Sequence, residues 1–316
     1  MEIKKVGGSG LKVSSLCLGS MQFGWTTDEK GSFQVLDAAW EAGINFIDSA
    51  DIYSRWIPGN PGGVSEEIIG NWLKNRAIDR GNIVLATKVR GRMGDVINDE
   101  GLSRVWIFRA VENTLRRLKT DYIDLYQAHW FDSFTPIEET LRAFDDLTKQ
   151  GKVRYLGCSN YPAWRLVQAL ETSRRTGIAS FISLQPHYNL VNRAEFETDL
   201  MEICMEYGLG VFPYSPLAAG FLTGKYKKDK KTAGSRNVEK YMTEKNWKLL
   251  GNLERIAQDR GGCTVGQLSL AWLLAQKSIT SPVIGPRTVD QLHEYLKSLE
   301  IQLSQQELSI IEGQIQ

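Results

Sequence analysis

The sequence has few of the residues that cross-link small domains or bind metal ions. Its 316 residues include four cysteines and three histidines. They are dispersed along the chain without CxxC spacing, at Cys17, Cys158, Cys204, Cys263, His129, His187 and His293. Disulfide frameworks and zinc sites need these residues at short, regular spacings. The sequence therefore predicts no metal site, and its cysteine usage is typical of a reduced, cytoplasmic protein.

An excess of charge of one sign is also missing. The chain has 38 Lys and Arg against 37 Asp and Glu, a formal net charge of +1. Nucleic acids and anionic membranes usually demand a basic surface. No run of about 18 apolar residues is present to span a membrane, and the start, MEIKKVGGSG, lacks the apolar core of a signal peptide. We therefore expect a globular protein with no nucleic-acid partner and no membrane, and the oligomeric state stays open.

Several nucleotide and hydrolase motifs are absent as well. An open dinucleotide fold carries GxGxxG after its first strand, whereas SLCLGSMQFG has only a widely spaced pair of glycines. The string GFLTGKY has the wrong glycine spacing for a phosphate loop, and neither GxSxG nor HExxH occurs. These absences exclude the commonest nucleotidase and hydrolase interpretations. Any nicotinamide cofactor must be held in another way.

Short β-branched runs alternate with longer amphipathic runs along the whole chain. The pattern predicts strands at 15–19, 45–49, 83–88, 123–129, 154–159, 181–185, 210–215 and 281–285. It predicts helices at 31–42, 65–76, 103–118, 136–150, 162–176, 193–207, 264–276 and 289–299. Eight strand–helix units with apolar strands indicate an α/β fold, a (β/α)₈ TIM barrel in one domain over 1–316. A hairpin turning at 7–10 precedes it, and long loops follow Tyr53 and Ser215.

Four polar residues stand where predicted strands give way to loops. Asp48 and Tyr53 lie in GINFIDSADIY, Lys88 ends NIVLATK and His129 ends IDLYQAH. Barrel enzymes place their chemistry at these strand ends. A lysine within about 4–6 Å of a tyrosine should lower the pKa of its hydroxyl by about 1 to 3, which makes a better acid. Asp48 would keep the lysine charged, and His129 would orient a carbonyl oxygen, although a buried structural ion pair remains the alternative.

The same segments carry a resemblance that covers essentially the whole chain. GINFIDSADIY, LATK and DYIDLYQAHW resemble the motifs of the aldo-keto reductase superfamily of NADPH-dependent (β/α)₈ barrels. The resemblance implies that Asp48, Tyr53, Lys88 and His129 form the catalytic tetrad. It further implies that NADPH donates a hydride to a carbonyl carbon while Tyr53 protonates the oxygen. The GKY loop is similar to a branch that includes channel beta-subunit-like reductases.

The resemblance also implies a cofactor site built from many segments. Ser159, Asn160 and Gln185 would grip the nicotinamide carboxamide, and Tyr214 would support the ring. Arg287 would meet the adenosine 2′-phosphate, so NADPH is expected over NADH. Tyr295 and Gly285 depart from the family pattern, which commonly has Asn at the first position and in some members Lys at the second. The implied cofactor residues are Gly19, Ser20, Met21, Asp48, Ser159, Asn160, Gln185, Tyr214, Ser215, Leu217, Gly220, Lys225, Arg236, Gly285, Arg287, Gln291 and Glu294.

The substrate side is predicted to lie beside the tetrad. Its implied residues are Met21, Tyr53, His129 and Trp130, with Phe23, Trp25 and the loop 55–63 around them. This apolar rim favours uncharged aldehydes or ketones, whereas Arg90 and Arg92 would favour an acidic group. The leading hypothesis is NADPH-dependent carbonyl reduction. A cofactor-binding regulatory subunit is the alternative, and a barrel aldolase with Lys88 as Schiff base is a third possibility.

Overall fold

An antiparallel hairpin precedes the central sheet and forms a separate two-stranded sheet. The computed structural model of the protein describes residues 1–228 and 238–313. In it, β1 (Ile3–Lys5) pairs with β2 (Lys12–Ser14), which confirms the predicted hairpin. Its turn needs glycine because Gly7 has a φ of 52°, and a Cβ there would lie 2.1 Å from the carbonyl oxygen of Gly208.

Eight parallel strands form the central sheet. They are β3 (Cys17–Gly19), β4 (Phe46–Asp48), β5 (Val84–Val89), β6 (Ile123–Ala128), β7 (Val153–Ser159), β8 (Phe181–Gln185), β9 (Gly210–Val211) and β10 (Val283–Ile284). Neighbours pair in sequence order from β3 to β9, and β10 pairs with β3. The backbone amides of Thr280 and Val283 donate to the carbonyl oxygens of Val211 (3.0 Å) and Pro213 (2.8 Å). These bonds join the two ends of the sheet, so the predicted (β/α)₈ barrel is confirmed.

Helices surround the barrel and bury their apolar faces against it. They are α1 (Glu29–Glu41), α2 (Val64–Arg76), α3 (Arg104–Leu118), α4 (Ile137–Lys149), α5 (Ala163–Thr176), α6 (Met201–Glu206), α7 (Glu244–Asp259), α8 (Val265–Ala275), α9 (Val289–Leu296) and α10 (Gln305–Ile311). Side-chain caps fix several helix starts, such as the capping boxes at Thr264 and Ser304. In the part of the chain that is described, no helix has both the length and the apolar character to cross a membrane.

Several predicted elements differ from the structure. The strand expected at 210–215 is only two residues long, because Pro213 has no backbone N–H and Ser215 has a positive φ of 53°. The helix expected at 193–207 contains a π-helical turn, Phe196–Leu200, before α6. The helix expected at 289–299 stops at Leu296 and continues as a 3₁₀ turn.

Two helices, α7 and α10, have no predicted counterpart. They lie outside the strand–helix alternation on which the prediction depends. Helix α7 still shows the helical spacing of buried residues, at Leu250, Leu253 and Ile256. The sequence of α7 therefore has the apolar spacing of a helix, but a pattern of eight strand–helix units does not include an additional helix at this position.

An ion pair fastens α10 to the end of α7 and gives a stability prediction. Arg260 donates from Nε (2.6 Å) and Nη2 (2.7 Å) to the two oxygens of Glu307. The hydrogen bond from Arg260 is the main reason that the pKa of Glu307 falls from 4.5 to about 2. We expect Glu307→Gln to lower the free energy of unfolding at pH 7 by about 1 kcal/mol, since glutamine can keep the Ser304 capping box but not the charge.

Because the folded-state pKa of Glu307 is depressed, its contribution is present above pH 4.5 and is lost as the pH falls toward 2. Urea unfolding of both proteins across this pH range measures the difference. Arg142→Gln, which removes the exposed i,i+4 pair with Glu138, serves as a control with little effect. A Glu307→Gln loss that does not change with pH would show that packing, rather than charge, is responsible.

Candidate active site

The four predicted tetrad residues meet at the carboxyl end of the barrel. Asp48 ends β4, Lys88 lies near the end of β5, His129 follows β6, and Tyr53 lies in the loop after β4. Lys88 Nζ donates to Asp48 Oδ2 (2.5 Å), to Tyr53 Oη (3.0 Å) and to the carbonyl oxygen of Ser49 (2.8 Å). Lysine has three N–H donors, so each has an acceptor. The Lys88 ammonium therefore links the Asp48 carboxylate to the Tyr53 hydroxyl.

Burial and charge set the protonation of this group. Burial alone would lower the pKa of Lys88, but Asp48 and Tyr53 together raise it above its ordinary value. Burial is also the main influence on Tyr53, and it raises the pKa of the hydroxyl, although Lys88 lowers it. The expectation of a lowered tyrosine pKa is therefore wrong for the free protein, because the desolvation cost outweighs the nearby cation. Lys88 is charged and Tyr53 is protonated at neutral pH.

His129 is a neutral imidazole beside Tyr53. Its ring centroid lies 6.0 Å from that of Tyr53, and it stacks on Trp130 at 3.7 Å. Burial, followed by the charges of Lys88 and Arg90, holds the pKa of His129 well below its usual range. Its Nδ1 is buried and has no hydrogen-bond partner within the described residues. A neutral ring can still donate one hydrogen bond to a carbonyl oxygen.

Two glutamine amides donate hydrogen bonds to the second carboxylate oxygen of Asp48. Gln127 and Gln185 each donate from Nε2 to Asp48 Oδ1 at 3.0 Å. Gln185 was predicted as a cofactor residue, whereas Gln127 was missed. The signal for Gln127 was its place two residues before His129 in an apolar strand, which puts both side chains on the same face.

A cavity of about 730 Å³ opens above the tetrad. The predicted residues that line it are Gly19, Met21, Asp48, Tyr53, His129, Trp130, Ser159, Asn160, Gln185, Tyr214, Ser215, Leu217, Gly220, Lys225, Gly285, Arg287, Gln291 and Glu294. Ser20 does not line it and is buried, with its hydroxyl bonded to Asp48 O and Ser65. Arg236 lies outside the described residues. A larger open groove beside α1 shares Arg287 but none of the tetrad.

The substrate side of the cavity is apolar. Ile52 and Trp56 line it together with the predicted Met21 and Trp130. Phe23 is fully buried, and the ring of Trp25 packs against that of Trp56, with 5.4 Å between the ring centroids. Neither Phe23 nor Trp25 lines the cavity. Within the loop 55–63, Trp56 is the residue that does. Arg90 and Arg92 are not part of the lining.

Beside the tetrad, a hydrogen-bonded set of polar groups could hold a carboxamide. Tyr214 Oη donates to Asn160 Oδ1 (2.8 Å), and Asn160 Nδ2 donates to His129 O and Ser159 Oγ (both 3.0 Å). Both N–H bonds of Asn160 are therefore used, and Oδ1 keeps one acceptor position. One face of Tyr214 stacks on His187 at 5.1 Å, which fixes the ring where it lines the cavity.

Part of the cavity lining has features that suit an anion. Lys225 and Arg287 both line it. The chain approaches closely at Gly220, where φ is 91° and a Cβ would lie 3.2 Å from Lys225 Nζ. Gln291 accepts from the Arg287 amide at 2.9 Å, so this glutamine holds the start of α9. A long ligand with an amide at one end and phosphates at the other fits this distribution of groups.

Comparison with known proteins agrees with this arrangement. Residues 15–315 match the model of the aldo/keto reductase family. The uncharacterized oxidoreductase YrpG of Bacillus subtilis (strain 168) is 39% identical over 98% of this chain and 95% of its own length. Versiconal hemiacetal acetate reductase of Aspergillus parasiticus is 33% identical over 99% and 96%.

A third relative carries a different kind of name. A probable voltage-gated potassium channel subunit beta of Oryza sativa subsp. japonica is 34% identical over 95% of this chain and 92% of its own length. The family match extends over nearly the whole barrel, from β3 to the end of α10. This chain therefore belongs to the aldo/keto reductase family of oxidoreductases.

Proposed function

We propose that the protein reduces uncharged aldehydes or ketones to alcohols with a nicotinamide dinucleotide, and that it prefers NADPH to NADH. The observation that carries this proposal is the bonded set Asp48–Lys88–Tyr53 at the floor of the 730 Å³ cavity. Polar amides beside it and two cations elsewhere in the lining, Lys225 and Arg287, suit the nicotinamide and phosphates of the cofactor. The apolar wall around Tyr53 suits a substrate without charge.

The proton chemistry follows from the charges in the site. When bound, the dinucleotide supplies the hydride that the carbonyl carbon accepts. Tyr53 gives its proton to the carbonyl oxygen, and the phenolate that forms is stabilised by the Lys88 ammonium 3.0 Å away. Asp48 keeps Lys88 charged and in place, and solvent returns the proton to Tyr53. Neutral His129 donates a hydrogen bond that orients the carbonyl oxygen.

The geometry favours reduction over the other two hypotheses. A Schiff-base lysine must lose its proton, whereas Lys88 bonds three acceptors and has a raised pKa. A regulatory subunit would need the cofactor groups, but it would not need a complete proton-donating tetrad. The tetrad therefore supports catalysis.

A matched pair of substrates tests the function. NADPH oxidation is followed with benzaldehyde and with 4-carboxybenzaldehyde, alongside a panel of aliphatic aldehydes and ketones. We expect turnover of the neutral compounds and a clearly higher KM for the carboxylate, because the substrate side of the cavity is lined by the apolar residues Met21, Ile52, Trp56 and Trp130. Binding of NADPH without turnover of any carbonyl would contradict the proposal.

Arg287 gives a prediction about cofactor choice. Arg287→Ala should raise the dissociation constant for NADPH by about 10-fold or more, because a hydrogen bond to a charged group contributes about 1.5–3 kcal/mol. The constant for NADH, which has no 2′-phosphate, should change far less. Quenching of tryptophan fluorescence measures both constants without any substrate.

The control for this prediction is Lys297→Ala. Lys297 is an exposed cation just after α9 and does not line the cavity, so both dissociation constants should stay unchanged. An equal loss of NADPH and NADH binding in Arg287→Ala would mean that Arg287 does not contact the 2′-phosphate.

A further inference from the structure

We propose that Gln127 is a positioning residue for proton transfer: its amide fixes the Asp48 carboxylate and, through it, the Lys88 ammonium beside Tyr53. This inference rests on the proposed reductase function. Gln127 is fully buried and does not line the cavity, so it acts on the reaction only through its neighbours.

Both carboxylate oxygens of Asp48 accept hydrogen bonds from buried side chains. One oxygen, Oδ2, accepts from Lys88 at 2.5 Å, and the other, Oδ1, accepts from Gln127 and Gln185 at 3.0 Å. Hydrogen bonds to a carboxylate favour its charged form and make it less basic. The two amides therefore keep the shared proton on Lys88, where its charge acts on Tyr53.

The neighbouring strand leaves space for the Gln127 side chain in the barrel interior. Lys88, Gln127, Gly157 and Ser183 face one another on successive strands. A Cβ at Gly157 would come within 3.2 Å of Gln127 Cγ and 2.5 Å of Ser183 Oγ. Glycine on the neighbouring strand thus leaves the space that the long Gln127 side chain occupies.

Burying the amide of Gln127 lowers the stability of the folded protein. Its Oε1 is buried and has no hydrogen-bond partner in the described parts of the chain. A buried polar atom without a partner is destabilising, whereas an apolar side chain of similar length would avoid the cost. The Nε2 donor to Asp48 is the compensating contact, and it serves the proton donor rather than packing.

Gln127 and Gln185 differ in one useful respect. Gln185 bonds Asp48 and also lines the cavity, so its replacement would disturb the cofactor as well. Among the described residues, the Gln127 side chain bonds Asp48 alone. A change at Gln127 should therefore alter proton transfer and leave cofactor binding intact.

The test replaces Gln127 by methionine, which has similar length but no N–H donor. We expect kcat for carbonyl reduction to fall about 10-fold, with KM and the NADPH dissociation constant nearly unchanged. Without this donor, Asp48 becomes more basic and draws the proton of Lys88 toward itself, so Tyr53 holds its own proton more tightly. The alkaline limb of the kcat profile should therefore move to higher pH.

Ser183→Ala is the matched control. Ser183 lies in the same layer, is equally buried and also has an unpartnered polar atom within the described ranges, but it does not bond Asp48. Its pH profile should match that of the unmodified protein. If both variants lower kcat equally without moving the limb, Gln127 is only structural and the inference is wrong. Should Gln127→Met not fold, Gln127→Leu is read in the same way.

A second readout needs no turnover. Ultraviolet difference absorbance between each protein and its Tyr53→Phe counterpart follows the ionisation of Tyr53 directly. A titration moved to higher pH in Gln127→Met supports the inference, and an unmoved one overturns it. If the unmodified protein reduces no carbonyl, the proposed function fails while this titration still decides the role of Gln127.

Discussion

Tyr53→Phe is expected to lose about 10²- to 10⁴-fold in kcat for carbonyl reduction and to keep its affinity for NADPH. In the proposed mechanism the Tyr53 phenol donates the proton while the Lys88 ammonium, 3.0 Å away, stabilises the phenolate, and phenylalanine keeps the ring but removes the hydroxyl. Steady-state kinetics with a neutral aldehyde and fluorescence titration with NADPH measure the two quantities separately. A variant that stays fully active would show that another group is the acid.

Tyr126→Phe is the control for this result. Tyr126 is fully buried, whereas Tyr53 is half-buried at the cavity, and Tyr126 lies on β6 away from the cavity lining. The Tyr126 hydroxyl has no hydrogen-bond partner in the described chain. Removing that hydroxyl should leave kcat nearly unchanged. A comparable loss in both variants would point to a general effect of buried tyrosines instead of proton donation.

The raised pKa of Tyr53 adds a direction to the pH dependence. Burial first, opposed by Lys88, leaves the hydroxyl protonated at and above neutral pH. Reduction needs the protonated form and oxidation of an alcohol needs the phenolate. We therefore expect reduction to persist into the alkaline range, and the reverse reaction to gain as the pH rises toward the Tyr53 pKa.

The positions of the tetrad could be predicted from the sequence because parallel strands gather their carboxyl ends on one face. Asp48, Lys88 and His129 each lie at, or directly after, the carboxyl end of an apolar strand, so their proximity needs only the barrel topology. The protonation of Tyr53 could not be predicted, because its desolvation depends on how its ring packs beside Trp56 and His129 at the cavity. The sequence indicated the cation but not the burial that outweighs it.

The contact between Gln127 and Asp48 could not be predicted from the sequence. A glutamine inside an apolar strand indicates a special position, but its partner, Asp48, is 79 residues away and two strands distant. Only the register Lys88–Gln127 across β5 and β6 brings the amide to the carboxylate. Helix α7 was missed for another reason: it is an addition to the repeating unit, which the alternation of strands and helices does not foresee.

Lys88→Met should lower the free energy of unfolding by about 3–5 kcal/mol and abolish most activity. Lys88 and Asp48 are 0% and 1% exposed, so removing the cation leaves a buried carboxylate whose side-chain partners, among the residues that the structure describes, are two neutral amides. Because the folded-state pKa of Lys88 is raised, the charged pair is fully present at pH 7, where urea unfolding should be measured.

The double variant Asp48→Asn with Lys88→Met separates stability from catalysis. It contains no unpaired charge, so most of the lost stability should return, since a buried ion pair often contributes little beyond what neutral residues provide. Activity should not return, because Tyr53 still lacks its cation. If the double variant is no more stable than Lys88→Met alone, the loss comes from packing around the lysine chain. Restored activity would mean that the pair holds the fold and takes no part in proton transfer.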